Sequence, residues 1–160
     1  MRLFVAFAAL VPLTMQAQGA PPLVPQLEFK TEIIAERNGV VSSSGVGLMI
    51  PAGSYVRIDA VPSAGAFFGR GTSDLTASVD AVARFLLDPF RQQSWGLSLG
   101  AGIEARAQQH AAGRSVLIVV ADLEGSRNAR GFSPAIQLGV GGGVRLGFVF
   151  RRSDMRAMIR

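Results

Sequence analysis

Ser94-Trp95-Gly96-Leu97-Ser98-Leu99-Gly100-Ala101-Gly102-Ile103-Glu104-Ala105-Arg106 is the stretch from which the rest of the chain is read. Trp95, Leu97, Leu99, Ala101, Ile103 and Ala105 take every second position, and Ser94, Gly96, Ser98, Gly100, Gly102, Glu104 and Arg106 stand between them. A period of two is that of a strand with one apolar face. The glycines weigh against a helix, because each costs about 1 kcal/mol relative to alanine in a helix interior.

The same alternation extends in both directions. Leu27, Phe29, Thr31, Ile33 and Ala35 alternate with Glu28, Lys30, Glu32 and Ile34, and Asn38-Gly39 then signals a tight turn. Residues 40–50 set Val46, Leu48 and Ile50 against Gly45, Gly47 and Met49, and Pro51-Ala52-Gly53 ends that segment. Val56, Ile58 and Ala60 face away from Tyr55, Arg57 and Asp59, after which residues 62–73 read as a glycine-rich loop. From Leu75 to Leu87 the alternation of Leu75, Ala77, Val79, Ala81, Ala83, Phe85 and Leu87 with Thr76, Ser78, Asp80 and Arg84 favours a strand over a helix, whose spacing would spread the apolar residues around the circumference. Val116 to Glu124 is apolar on both faces until Asp122 and Glu124. Ile136, Leu138, Val140, Val144, Leu146, Phe148 and Phe150 oppose Gln137, Gly139, Gly141, Gly143, Arg145, Gly147 and Arg151 in one long last segment. Seven strands are visible. An eighth is expected either within residues 62–73 or from a split at Gly141-Gly142-Gly143, which would leave strands of about seven residues, short of the 9 to 11 that a tilted spanning strand needs.

Length and composition bound the answer. The 160 residues suit one domain, and 49% hydrophobic residues without a long apolar run past the first twenty require apolar and polar side chains to be interspersed. No cysteine is present, so disulfides and thiolate metal sites are excluded. The net charge of +5 comes from scattered arginines whose only cluster is Arg151, Arg152, Arg156 and Arg160. That cluster reads as a solvated tail, and the absence of aromatics interleaved with the arginines argues against nucleic-acid binding. Arg2, the apolar run Leu3–Leu13 and Ala17-Gln18-Gly19 have the layout of a secretory signal peptide. The expected organisation is a signal peptide at 1–19, an extended segment at 20–26 containing Pro21, Pro22 and Pro25, a β-barrel domain at 27–150 and a basic tail at 151–160.

Alternation alone does not say which face is inside. Most strand glycines (Gly45, Gly47, Gly96, Gly100, Gly102, Gly139, Gly141, Gly143 and Gly147) lie on the polar face, where exposure would be costly. In a narrow barrel, small inward residues make room for a few large charged ones. Glu28, Glu32, Asp59, Asp80, Glu104, Asp122 and Glu124 on that face nearly balance Lys30, Arg57, Arg84, Arg106 and Arg145, as an enclosed ion-pair network requires. Phe29, Trp95, Phe148 and Phe150, near strand ends on the apolar face, are placed for an interfacial girdle.

With its signal peptide, alternating strands, charged interior and late aromatic strand ending in Phe148-Val149-Phe150, the chain resembles the small bacterial outer-membrane β-barrel class of the OmpA and OmpX type over about residues 26–150. The resemblance is one of pattern. It implies an all-β, antiparallel up-and-down barrel of about eight strands with outer-membrane lipid as its partner and no cofactor. Members of that class usually close with an even strand count and often finish on a terminal aromatic, whereas ten residues follow Phe150 here.

No constellation points to catalysis or a metal. His110 lies between two strands, and a triad would have to recruit Ser115 and Glu104 through the fold. Asp122 and Glu124 share a strand face but lack the loop-borne oxygen ligands of a calcium site. Gly139-Val140-Gly141-Gly142-Gly143 lacks the Lys-Ser/Thr continuation of a phosphate-binding loop. The expectation is a non-catalytic outer-membrane barrel with a structural, adhesive or minor transport role. Its alternatives are a periplasmic lipocalin-like small-ligand barrel with the apolar face inward and an outer-membrane lipid-modifying enzyme centred on His110.

Overall fold

The computed structural model of the chain describes residues 24–69, 71–88, 94–126, 128 and 131–152. The signal peptide expected at 1–19, residues 20–23 of the extended segment and residues 153–160 of the tail lie outside the described residues.

Eight strands follow one another: β1 (Gln26–Glu36), β2 (Gly39–Pro51), β3 (Val56–Gly69), β4 (Ser73–Leu86), β5 (Gly96–Gln108), β6 (Ala111–Glu124), β7 (Phe132–Val140) and β8 (Val144–Arg152). Each pairs antiparallel with the next, and β8 pairs with β1, so the sheet closes on itself as an up-and-down barrel. Closure gives every strand a neighbour on both sides, the condition for a sheet to stand in hydrocarbon, with residues 111–118 of β6 running on beyond the ladder to β7.

Two boundaries differ from the sequence reading. Residues 62–69 belong to β3 rather than to a loop. The ladder from β3 to β2 skips Val61 and Pro62, where proline has no N–H to give, while the ladder to β4 runs through both residues. The eighth strand comes instead from the split at 141–143, where Gly141 (φ 135°) and Gly142 (φ 69°) adopt backbone conformations closed to most residues and turn the chain back on itself. The two products are nine residues each, long enough to span. β8 also carries the chain past Phe150 to Arg152, so Arg151 is a buried barrel residue and not part of a solvated tail.

The apolar face points outward. Leu117 is 78% exposed and Leu75 68%, whereas Glu28, Glu104, Asp122 and Arg145 are fully buried. Among the described residues no charged side chain stands on the outer wall between the two rims. Two of its hydroxyls are satisfied locally: Ser44 Oγ donates to Thr31 Oγ1 at 3.1 Å, and Thr31 Oγ1 donates to the Ser43 carbonyl at 3.3 Å. β6, apolar on both faces in sequence, sends Leu117, Val119 and Leu123 outward, while Ile118 and Val120 pack with Val82 against Val116 on the lumen side.

The inward glycines fall into two kinds. A Cβ on Gly47 would lie 2.1 Å from the Ala60 carbonyl oxygen, and one on Gly102 would lie 2.0 Å from that of Ala81, so at these places the neighbouring strand's backbone occupies the side-chain position. At Gly100 the nearest groups are side chains, Val82 Cγ1 at 2.9 Å and the stem of Arg84 at 3.0 Å, with the Ala83 carbonyl at 3.1 Å, and at Gly147 nothing comes closer than 3.4 Å. Room for large inward side chains such as Val82, Arg84 and Gln137 explains the second kind, and tight coiling of the wall explains the first.

Candidate functional site

The lumen is filled by ionised side chains. Of the residues expected there, Glu28, Lys30, Glu32, Asp59, Asp80, Arg84, Glu104, Arg106, Asp122, Glu124 and Arg145 are buried in the interior, and Arg57 is half-buried at the end that carries the chain termini. They separate into two clusters.

The cluster nearer the chain ends is built on Arg84 of β4 and Arg151 of β8. Arg84 Nε donates to both oxygens of Asp59 at 3.1 Å, its Nη2 reaches Asp59 Oδ2 at 2.8 Å, and its Nη1 pairs with Asp122. Arg151 spreads over three carboxylates: Glu28 at 2.9 Å, Asp122 at 2.6 Å and Glu124 at 3.1 Å. Arg57 joins through Glu124 at 2.9 Å, and Gln137 of β7 donates to Asp122 Oδ1 at 2.9 Å. The planar guanidinium suits such sharing, since its five N–H groups form a rigid fork.

The second cluster is built on Arg145 of β8. It binds Glu32 at 2.8 Å, Asp80 at 3.1 Å and Glu104 at 2.6 Å. Lys30 lies 3.1 Å from Glu32 and also pairs with Asp80, while Arg106 holds Glu104 at 2.5 Å and Glu36. Arg114 of β6 closes the cluster on Glu36 at the opposite rim. Sequence reasoning missed Arg151, Glu36, Arg114 and Gln137. Inward parity in β1 and β7 signalled Glu36 and Gln137, and β8 parity signalled Arg151.

Several chemical readings meet a physical obstacle. Both carboxylates of the Asp122–Glu124 pair are engaged by arginines. His110 lies in the turn between β5 and β6, with Nδ1 2.6 Å from Asp74 Oδ1, and Gln108 Nε2 donates to Asp74 Oδ2 at 2.9 Å. Glu104, expected as a possible orienting group for that histidine, is held in the lumen by Arg106 and Arg145, and Ser115 is exposed. The lipocalin-like alternative needs an apolar cavity lined by Leu97, Leu99, Ile103, Leu138 and Leu146, all of which stand on the outer wall.

Aromatic residues gather at the rim that carries the chain ends. Phe29 pairs with Phe150 across the β1–β8 ladder, and Trp95 precedes β5 there, while Phe148 lies two residues further into the wall. Tyr55 stacks on Phe85 with ring centroids 5.8 Å apart, and Arg152 lies 5.3 Å over the Phe132 ring, adding members that the sequence reading did not single out.

Sequence comparison finds no matching family model and no matching curated protein. Structural comparison finds likeness to the crystal structure of Neisserial surface protein A (NspA), with a TM-score of 0.61, 13% identity, and coverage of 86% of this chain and 100% of that one. At this identity the likeness carries the fold, a small closed β-barrel.

Proposed function

We propose that the protein is a bacterial outer-membrane β-barrel with a non-catalytic, mainly structural role, its lumen closed to general solute flow by the two ionic clusters. The observation that carries this reading is the inverted distribution of side chains: a continuous apolar wall outside and paired charges inside. In water the wall would be an exposed apolar surface far beyond what a soluble monomer carries, and in a bilayer it is the lipid-facing band. The aromatic rim and the likeness to a Neisserial surface protein support the same placement.

Cell fractionation tests it directly. The expected result is a band that remains in carbonate-washed outer membrane and changes gel mobility on heating; a soluble periplasmic band would overturn the reading. Ile103→Arg, midway along β5 on the outer wall, is expected to cost about 2 to 4 kcal/mol and to impair membrane assembly. Assembly of that variant at the parental level would show that the wall does not face lipid.

A further inference from the structure

Four connections form the rim away from the chain ends: residues 37–38, 70–72, 109–110 and 141–143, two or three residues each. Turns this short keep the side chains of their described residues at the barrel mouth instead of on projecting loops. On this rim Arg106 and Arg114 both bind Glu36. Arg37, the next residue, is exposed and makes no ion pair among the described residues.

Arg37 borders a cavity of about 570 Å³ between the β1–β2 and β3–β4 turns, lined also by Asn38, Phe67, Gly69 and Thr72. Its floor depends on glycine. Gly39 and Gly69 are partners across the β2–β3 ladder. A Cβ on Gly39 would fall 2.8 Å from the Phe67 ring and one on Gly69 would fall 2.6 Å from it, so the ring lies across the glycine pair in space that any other residue would take. Thr72 Oγ1 lies on the same side, 3.1 Å from the position of a Gly69 Cβ, and the turn is pinned by Gly69 N donating to the Thr72 carbonyl at 2.9 Å.

We infer that this cavity binds a phosphorylated sugar. The guanidinium of Arg37 matches a phosphate bidentately. The Asn38 amide and Thr72 hydroxyl supply hydrogen-bonding groups for phosphate or ring oxygens. The Phe67 face offers a flat apolar surface to the C–H side of a sugar ring. No carboxylate lines the cavity among the described residues; neighbouring Glu36 is already neutralised by two arginines, and Asp74, the cross-strand partner of Phe67, is turned to Gln108 and His110. The same chemistry is presented by the headgroup of a phosphorylated glycolipid and by a soluble sugar phosphate. The headgroup source rests on the membrane placement proposed above; the pocket chemistry does not.

The test uses the full chain refolded in lauryldimethylamine oxide micelles and calorimetric titration with glucosamine 1-phosphate, glucosamine and diphosphorylated lipid A. The expected result is binding of at least one phosphorylated probe, none of glucosamine, and an affinity loss of about tenfold or more in Arg37→Gln, equivalent to about 1.4 kcal/mol. Arg37-dependent binding of lipid A alone identifies the glycolipid; Arg37-dependent binding of glucosamine 1-phosphate identifies the sugar phosphate as sufficient. Phe67→Leu, which keeps apolar bulk but removes the flat face, is expected to weaken the same probe. Unchanged affinity in Arg37→Gln, or no binding of either phosphorylated probe by the parent, overturns the inference. A barrel that fractionates as soluble yet binds glucosamine 1-phosphate through Arg37 would overturn the membrane reading and leave the pocket standing.

Discussion

The two ionic clusters of the lumen use similar parts with different redundancy. Near the chain ends, Glu28, Asp59, Asp122 and Glu124 share Arg57, Arg84 and Arg151, and among the described residues Asp59 has Arg84 as its only ion-pair partner. In the second cluster, Glu32, Glu36, Asp80 and Glu104 meet an equal number of cations, Lys30, Arg106, Arg114 and Arg145, and each of these carboxylates touches two of them. The contrast teaches that the number of contacts made by a buried arginine is a poor guide to the harm of losing it. What matters is whether a carboxylate is left buried without a cation.

That contrast can be broken most sharply at Arg84. Arg84→Met strands Asp59 and is expected to cost toward the upper end of about 3 to 5 kcal/mol in urea unfolding of the vesicle-embedded barrel. Adding Asp59→Asn to the same chain is expected to recover a substantial part, because the stranded charge is then gone. Arg145→Met removes contacts to three carboxylates, yet Lys30 still serves Glu32 and Asp80, and Arg106 still serves Glu104. Its expected cost is nearer the lower end of that range of about 3 to 5 kcal/mol, and an Arg145→Met loss exceeding that of Arg84→Met would reverse the comparison. Arg114→Gln, at the rim and partly exposed, is expected to change stability by about 0 to 1 kcal/mol, with Glu36 still held by Arg106.

Much of the barrel is legible from alternation because each strand has an apolar outer side and a largely polar inner one. Alternation fuses the seventh and eighth strands for a physical reason: the three turn residues 141–143 preserve parity, so Val140 and Val144 both face outward and the period runs unbroken through a reversal of direction. Pro62 and Gly65 look like turn residues, yet the proline is accommodated where one ladder is interrupted, and Gly65 yields its side-chain space to the Ser42 carbonyl, 2.0 Å from where a Cβ would be. Along the chain Arg151 groups with neighbouring arginines, whereas its partners Glu28 and Asp122 are set by closure across distant strands. Inward placement can be read locally; the choice of partner cannot, because it depends on the register of all eight strands.

The final strand supplies the hubs of both clusters, Arg145 and Arg151, and reaches Glu32 and Glu28 across 113 and 123 residues of chain. Every other ladder joins consecutive strands and can form as a local hairpin, but this seam waits for the eighth strand. A chain cut short before β8 would have two raw sheet edges and lose, in one stroke, a hub arginine from each cluster. The barrel's last strand thus neutralises acids of its first, and a copy cut short before that strand advertises itself by charges that have nowhere to go.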